Sequence, residues 1–403
     1  MQANHEPPPL KIAYIVDTLV TGGAERLVVT FAKATMNRSD IDLTVFVLSG
    51  AGTPFCNELE QLGVRVVHLP GKSLVDISRF LKLMSELHKR SIEYVHAHLI
   101  SSTVVGGWAA AILGIPFATT IHNVKASTAR VGKLRGILYR SVLRMPGTVR
   151  IAVGQAVAEA ARVDTGGRDC IVVPNAVSPD VLAPPSARAA MRAHLGVDGR
   201  KVLIAVGAII GQKAYDDLLI AYAQVSAQMP DTTLLIVGNA PDADRYENLQ
   251  TLAEELSINN QVRFLGLRQD VPNLLSAADL FVSASHWEGL PVSVLEAMAN
   301  GVPCVVTDVG DNALILDGTG APVVPPRRPK ILAESVLDLL RDEASLERVG
   351  HAVRVRIAEH YGVDAWINKL ANIYAISAQR HQRFSLRRQP VSQSIVDRNG
   401  GTP

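Results

Sequence analysis

Along most of its length the chain alternates short apolar runs with segments long enough for a helix, and this alternation, more than any single residue, limits the folds open to it. Strands covered on both faces read as continuous apolar runs, and parallel strands need crossover helices between them. In the first half, strands are expected near 11–16, 42–48, 64–68, 93–96, 117–121, 149–153 and 170–173. The pattern restarts at Lys201 with KVLIAVG, followed by a helix near 214–228, TLLIVG at 233–238, a helix near 244–256, QVRFLG at 261–266, DLFVSAS at 279–285, a helix from Pro291 and PCVVTD at 303–308. A restart of this kind predicts an α/β protein of two similar doubly wound parallel-sheet domains. At 403 residues the chain has the material for both.

The expected division is a flexible, proline-rich amino terminus at 1–9, a first domain at 10–180, a linker at 181–200 and a second domain at 201–360. A helix holding Trp366 and Tyr374 at 361–382 is expected to pack back on the first domain, before a flexible tail at 383–403. Leu99–Ile121 carries no charge and matches a membrane span in length, but Gly106, Gly107, Gly114 and Pro116 dilute it. It reads as a buried small-residue helix at about 101–113, a turn and a strand at 117–121.

Forty basic against 38 acidic residues leave a net charge of +2, too small for a general nucleic-acid binder. The sum hides a split: 19 basic and 14 acidic residues fall in 1–180, but 16 and 23 in 181–372. Cys56, Cys170 and Cys304 are far apart in apolar contexts, so neither a disulfide framework nor structural zinc is expected. Met1–Pro9 lacks the apolar core of a signal peptide. The expected location is cytoplasmic.

Several segments could carry chemistry. Gly22 and Gly23 stand at the first strand-to-helix crossover, where a ligand can approach the backbone and an anion can meet free helical N–H groups, but the dinucleotide fingerprint is absent. A tight turn explains the pair equally well. Gly71-Lys72-Ser73 lacks the leading glycine of a phosphate loop, and Asp242-x-Asp244 reads more simply as a solvated acidic turn than as a metal site. His96, His98 and His122 fall at two strand ends; His122 is placed to hydrogen-bond a substrate hydroxyl, and a satisfied core histidine is the alternative. In Ser283–Gly301, Pro291 suits a helix start and Gly301 its end, so Glu288 precedes the helix and Glu296 lies inside it. A loop carboxylate there can receive sugar hydroxyls while the helical N–H groups receive a diphosphate. On an otherwise apolar helix Glu296 needs a partner such as a ribose diol, unless it simply faces solvent.

With these segments in view, the sequence resembles the retaining nucleotide-sugar glycosyltransferases of family 4, which have the two-domain GT-B fold. The resemblance runs from about Lys11 to Tyr374 and is carried by GGAER at 22–26, VHAH at 95–98, TTIHN at 119–123, VPNAV at 173–177, QK at 212–213, VRFLG at 262–266 and the Glu-x7-Glu pair within EGLPVSVLEAMANGVPCVVTDVGDN at 288–312. It implies two Rossmann-like domains facing a central cleft. It further implies that Gly22 and Gly23 approach the donor phosphates or the acceptor, that His122 contacts the transferred sugar, and that Lys213 neutralises the diphosphate. Glu288 would orient the sugar, the N–H groups of Gly289, Leu290, Pro291 (through its neighbours, since proline has none) and Val292 would face the phosphates, and Glu296 would hold the ribose. No metal or other cofactor is implied. The family usually has an arginine where this chain has Ala208, and Arg130, Arg268 or another lysine are candidates to replace that cation; Ala214 likewise replaces the commoner glycine.

The function so implied is transfer, with retention, of a sugar from a UDP- or GDP-sugar to a lipid-linked or polysaccharide acceptor in cell-envelope glycan assembly. The basic, amphipathic segment 125–144 is a candidate contact with anionic lipid at the inner face of the plasma membrane. The rival readings are a non-catalytic homologue that binds nucleotide-sugar or a partner protein, and a sugar phosphorylase or epimerase on the same fold.

Overall fold

The computed structural model describes residues 8–20, 22–36, 38–124 and 132–388. The first domain runs β1 (Leu10–Val16), α1 (Gly23–Thr35), β2 (Ile41–Val47), α2 (Pro54–Gln61), β3 (Arg65–His68), α3 (Ile77–Lys89) and β4 (Tyr94–His98). It continues through α4 (Ile100–Leu113), β5 (Phe117–Ile121), α5 (Lys133–Leu143), β6 (Val149–Ala152), α6 (Gln155–Ala160), α7 (Arg162–Thr165) and β7 (Ile171–Val172). The second begins with α8 (Ala187–Leu195), β8 (Lys201–Val206), α9 (Tyr215–Gln228), β9 (Thr232–Val237), α10 (Ala243–Glu255), β10 (Val262–Gly266) and α11 (Val271–Ala277). After these come β11 (Leu280–Ser283), α12 (Val292–Ala299), β12 (Cys304–Thr307), α13 (Asn312–Ile315), β13 (Val323–Val324), α14 (Pro329–Arg341), α15 (Glu343–His360) and α16 (Val363–Arg388).

Both sheets are parallel, with strand orders β3-β2-β1-β4-β5-β6-β7 and β10-β9-β8-β11-β12-β13. In each, the order reverses beside the first strand, between β1 and β4 and between β8 and β11. Loops leaving the carboxyl ends of strands diverge at such a point and open a crevice. The two crevices face one another.

Local chemistry explains the main boundaries. Thr53 and Asp76 cap α2 and α3 through their side-chain oxygens, and Asp242 caps α10 by accepting from Arg245 N at 3.2 Å, which gives this acidic turn a structural task. The uncharged stretch from Leu99 is α4, ended by Gly114 in the left-handed region at φ +67, and then β5. A Cβ on Gly107 would lie 2.3 Å from Val142 Cγ1, so the glycine lets α4 press against α5. Among the described residues no helix is long and apolar enough to cross a membrane. Cys56, Cys170 and Cys304 are free thiols.

Two findings depart from the expected division. Residues 181–200 are not merely a linker: they carry α8, whose Met191 is buried in the second domain's core and whose Arg188 and Arg192 both pair with Asp279. The last helix also runs to Arg388, past the expected start of a tail at 383, while residues 389–403 lie outside the described part of the chain. α16 lies on the first domain, where Trp366, Ile367, Leu370 and Tyr374 share a core with Tyr14 and Phe31. The chain therefore crosses between domains twice, and the crossings touch: Val177 N donates to Tyr361 O at 2.9 Å, and Val177 bridges Gly362.

Candidate active site

In the second domain the loop after β8 and the loop after β11 converge on Glu288, which is 5% exposed. Its Oε1 accepts from Lys213 Nζ at 2.6 Å and Ser285 Oγ at 2.7 Å, and its Oε2 from Gln212 Nε2 at 2.9 Å. His286 N donates to Gln212 O at 2.8 Å and ties the loops together, while the His286 ring meets Asp217 Oδ2. Gly207 takes up φ +156, a conformation that residues with a side chain rarely adopt, and a Cβ there would stand 2.8 Å from Lys213 Cε. Ala214 takes up φ +47 and ψ 50, a left-handed conformation that strains a residue with a Cβ. Pro291 occupies the N-cap of α12, leaving the N–H groups of Val292 and Ser293 without acceptors inside the helix. Glu296 lies on α12, half-buried.

The facing half belongs to the first domain. Gly23 approaches α12 so closely that a Cβ would lie 3.1 Å from Val292 Cγ2. Gly22, at φ +152, leaves room for Glu25, whose carboxylate accepts from Thr18 Oγ1 at 3.2 Å; burial raises the Glu25 pKa. Asp17 accepts from Ser101 N and Ser102 N and so closes the amino end of α4. Nearby, His98 Nδ1 and His122 Nε2 are 2.8 Å apart, and His96 bonds Tyr374 through Nδ1 and Thr120 through Nε2. Burial, with smaller contributions from the neighbouring imidazoles, depresses His96 to about 3 and His98 well below its ordinary value; burial alone takes His122 to about 4. All three rings are therefore neutral at pH 7. His122 also lines a cavity of about 210 Å³ with Asp17, Arg135, Tyr139 and Asp164. A larger groove of about 1170 Å³, behind the domain crossing, touches none of these residues.

Across the crevice the backbones meet. A Cβ on Gly289 would lie 2.1 Å from His122 O, so only glycine allows this approach. Asn175 Nδ2 donates to Leu290 O at 2.9 Å, and Asp311 accepts from Gln155 N and Ala156 N at 2.7 and 2.8 Å, closing the amino end of α6 from the other domain. The arrangement thus brings Gly22, Gly23 and His122 opposite Lys213, Glu288 and the Gly289–Val292 turn. Gln212, Ser285, Asn175 and Asp311 were not singled out as site residues, and their roles come from contacts between segments far apart in sequence. The candidate Arg268 is held by Asp270 through two bonds of 2.7 Å, and Arg130 lies outside the described residues. Arg245 instead lies over the β8–α9 loop, its Nη2 3.3 Å from where a Gly211 Cβ would stand.

Paired parallel-sheet domains with opposed switch points define the GT-B fold. HepE of Anabaena, crystallised with UDP-glucose, has the same architecture: TM-score 0.82 and 22% identity over 91% of this chain and 99% of that one. Residues 21–181 match the glycosyltransferase family 4 model and residues 187–356 the model for glycosyl transferases group 1. The chain belongs to the family 4 glycosyltransferases. The UDP-Gal:alpha-D-GlcNAc-diphosphoundecaprenol alpha-1,3-galactosyltransferase of Escherichia coli is 26% identical over 259 residues, 60% of this chain and 64% of that protein. A GDP-mannose-dependent alpha-(1-6)-phosphatidylinositol monomannoside mannosyltransferase of Mycolicibacterium smegmatis is 32% identical over 205 residues, 48% and 52% of the two chains. The chain thus spans between about half and two thirds of the length of these curated relatives.

Proposed function

We propose that this chain transfers a sugar, with retention of anomeric configuration and without a metal, from a UDP- or GDP-sugar to a lipid-linked or glycan acceptor of envelope assembly. The observation that carries the reading is Glu288, buried yet held as an acceptor at the amino end of α12, opposite His122 and Gly23. A carboxylate offers about four acceptor positions, and three are filled here. The remaining one, on Oε2, is available to one sugar hydroxyl.

In the proposed reaction the diphosphate lies between the amino end of α12 and Lys213, whose ammonium keeps two N–H bonds beyond the one given to Glu288. The bond from the anomeric carbon to the diphosphate oxygen breaks, with the pair leaving on that oxygen. The acceptor oxygen bonds to the same face of the carbon and its proton passes to a phosphate oxygen. Fixed donors aimed at the developing negative charge are worth about 10²–10³ in rate apiece. Excluding water protects the donor from hydrolysis, a task suited to the tight contact of Gly289 with His122 O.

The acceptor side supports an anionic membrane surface as partner. α4 and α5 pack together, α4 exposing Trp108 and Ile112 and α5 exposing Leu134 and Ile137, and the same stretch carries the basic residues Lys133, Arg140 and Arg144, of which Arg140 also pairs with Asp164 at 3.8 Å. Residues 125–131 of the basic segment lie outside the described part of the chain. Such a face supports the proposal that the reaction takes place at the inner face of the plasma membrane.

A panel of UDP- and GDP-sugars, screened for thermal protection and then for transfer to lipid-linked acceptors, tests the reading. Protection by one nucleotide class, with transfer abolished in Glu288→Gln, is the expected result. No protection by any nucleotide overturns it, and unchanged biological activity in Glu288→Gln would favour a non-catalytic binding role.

A further inference from the structure

β4 and β5 are neighbours in register, His98 opposite Thr120, so the residue two positions beyond Thr120 reaches back to the end of β4. There the His98 and His122 rings share one hydrogen bond, between Nδ1 of His98 and Nε2 of His122. His98 is 2% exposed and stacks on Tyr14, with ring centroids 4.5 Å apart and planes inclined by 29°. Its other nitrogen, Nε2, is buried and has no hydrogen-bond partner.

That orphaned atom decides where the protons lie. Each neutral imidazole carries one N–H, and one ring must donate to the other. If His122 donated from Nε2, His98 would accept at Nδ1 and would have to carry its own proton on Nε2, an N–H sealed away from every acceptor. Buried N–H groups without acceptors are the rarer defect in folded proteins, because such a donor gives up its bond to water and gains none in return. If His98 donates from Nδ1, its Nε2 is a bare lone pair, and His122 keeps its proton on Nδ1. Nδ1 of His122 has no partner among the described residues, and His122 lines the cavity beside the crevice.

We infer that His98 is a positioning residue that locks His122 in the Nδ1–H tautomer, so that His122 presents a hydrogen-bond donor, not an acceptor, to an oxygen of the transferred sugar. The sugar part of this inference rests on the proposed glycosyl transfer; the tautomer part does not. His122 then recognises an oxygen that can accept, and a donor sugar lacking that oxygen loses the contact. His96 takes no part in the lock, since both of its nitrogens are already engaged by Tyr374 and Thr120. The selection of tautomer by a neighbour follows the behaviour of histidines whose second nitrogen is fixed by a hydrogen bond.

Nitrogen-15 NMR of histidine-labelled full-length protein near pH 7, with His122→Gln assigning the resonances, reads the tautomer directly. The expected spectrum shows His122 protonated at Nδ1, and a His122 signal protonated at Nε2 overturns the inference while leaving the proposed function untouched. His98→Phe keeps a ring on Tyr14 but removes the donor: His122 is expected to lose its Nδ1–H signature, and nucleotide-sugar binding to weaken roughly tenfold, with binding of the free nucleoside diphosphate unchanged. His98→Asn, whose amide N–H can stand where the Nδ1–H stood, is expected to recover most of that loss. Equal weakening of sugar-bearing and sugar-free nucleotides, or no recovery with Asn, assigns His98 a merely structural role and overturns the inference. If His98→Phe does not fold, the wild-type spectrum still decides. Failure of wild-type protein to bind any nucleotide refutes the glycosyl-transfer reading whatever the tautomer.

Discussion

Gly289→Ala places one methyl group between the two domains, and its effect can be worked from distances. The new Cβ would lie 2.1 Å from His122 O and 3.0 Å from Val157 Cγ2, whereas real Cβ contacts essentially never fall below 3.0 Å, so a backbone segment must move by about 0.9 Å. Gly289 is outside the positive-φ region, so the substitution adds no torsional strain of its own. If the domains separated as rigid bodies by that amount, the bonds from Asn175 to Leu290 O and from Gln155 and Ala156 to Asp311, now 2.7–2.9 Å, would pass beyond hydrogen-bonding reach. One neutral bond and two to a carboxylate are worth about 4–7 kcal/mol together. Absorbing the methyl locally by overpacking costs about 1–3 kcal/mol. The smaller cost wins, so the variant is expected to stay closed while the turn bearing His122 shifts.

A displacement near 1 Å at a site that works by positioning can lower turnover by about 10²-fold. Small-angle scattering should give an unchanged radius of gyration, and thermal unfolding a decrease corresponding to about 1–3 kcal/mol, while sugar transfer falls about a hundredfold. Retention of wild-type transfer would refute the idea that the Gly289–His122 approach sets the site. An expanded particle would show that the seam is weaker than its hydrogen bonds suggest.

Lys213→Met leaves the Glu288 carboxylate buried with only neutral donors and should destabilise by about 3–5 kcal/mol in chemical denaturation; adding Glu288→Gln should recover much of that stability without recovering transfer. Ala214→Gly relieves a left-handed residue costing about 1–2 kcal/mol, offset by the freedom glycine gains when unfolded, and should raise the denaturation midpoint by the equivalent of roughly 0.5–1 kcal/mol. Because His96 and His122 are held near 3 and 4 in the folded protein, against about 6.5 when unfolded, the unfolded chain binds more protons as pH falls below 6.5. Stability should therefore decline between pH 6.5 and 5, by up to about 1.4 kcal/mol per pH unit for each such histidine, and urea midpoints of His96→Gln should show a shallower slope over that interval.

The apolar runs locate twelve of the thirteen strands among the described residues within two residues of where they occur, because a parallel strand buried on both faces leaves a dense and unambiguous pattern. β13 leaves no mark in the sequence because two residues, Val323 and Val324, carry no periodicity. α8 was concealed by the prolines around it, although Ala187–Leu195 alone reads as a short amphipathic helix. Within the site, Glu288 stands out because carboxylate, glycine and proline in one loop are unusual, whereas Lys213 is marked only by the family resemblance, through QK at 212–213. Their partners Gln212 and Ser285 are ordinary residue types that acquire a role only through proximity. The approach of Gly289 to His122 O, and the capping of α6 by Asp311, depend on how two separate domains meet, which no local pattern encodes.

The contact between Val177 and Gly362 has a consequence for modularity. Everything between those two positions is topologically an insertion: the polypeptide leaves one body, builds the other, and returns beside its point of departure. A short peptide joining Val177 to Gly362 would bypass the inserted body while leaving α16 seated on its neighbours. A cassette from a related chain could likewise be spliced in through the same gateway, exchanging one wall of the crevice without rerouting the other.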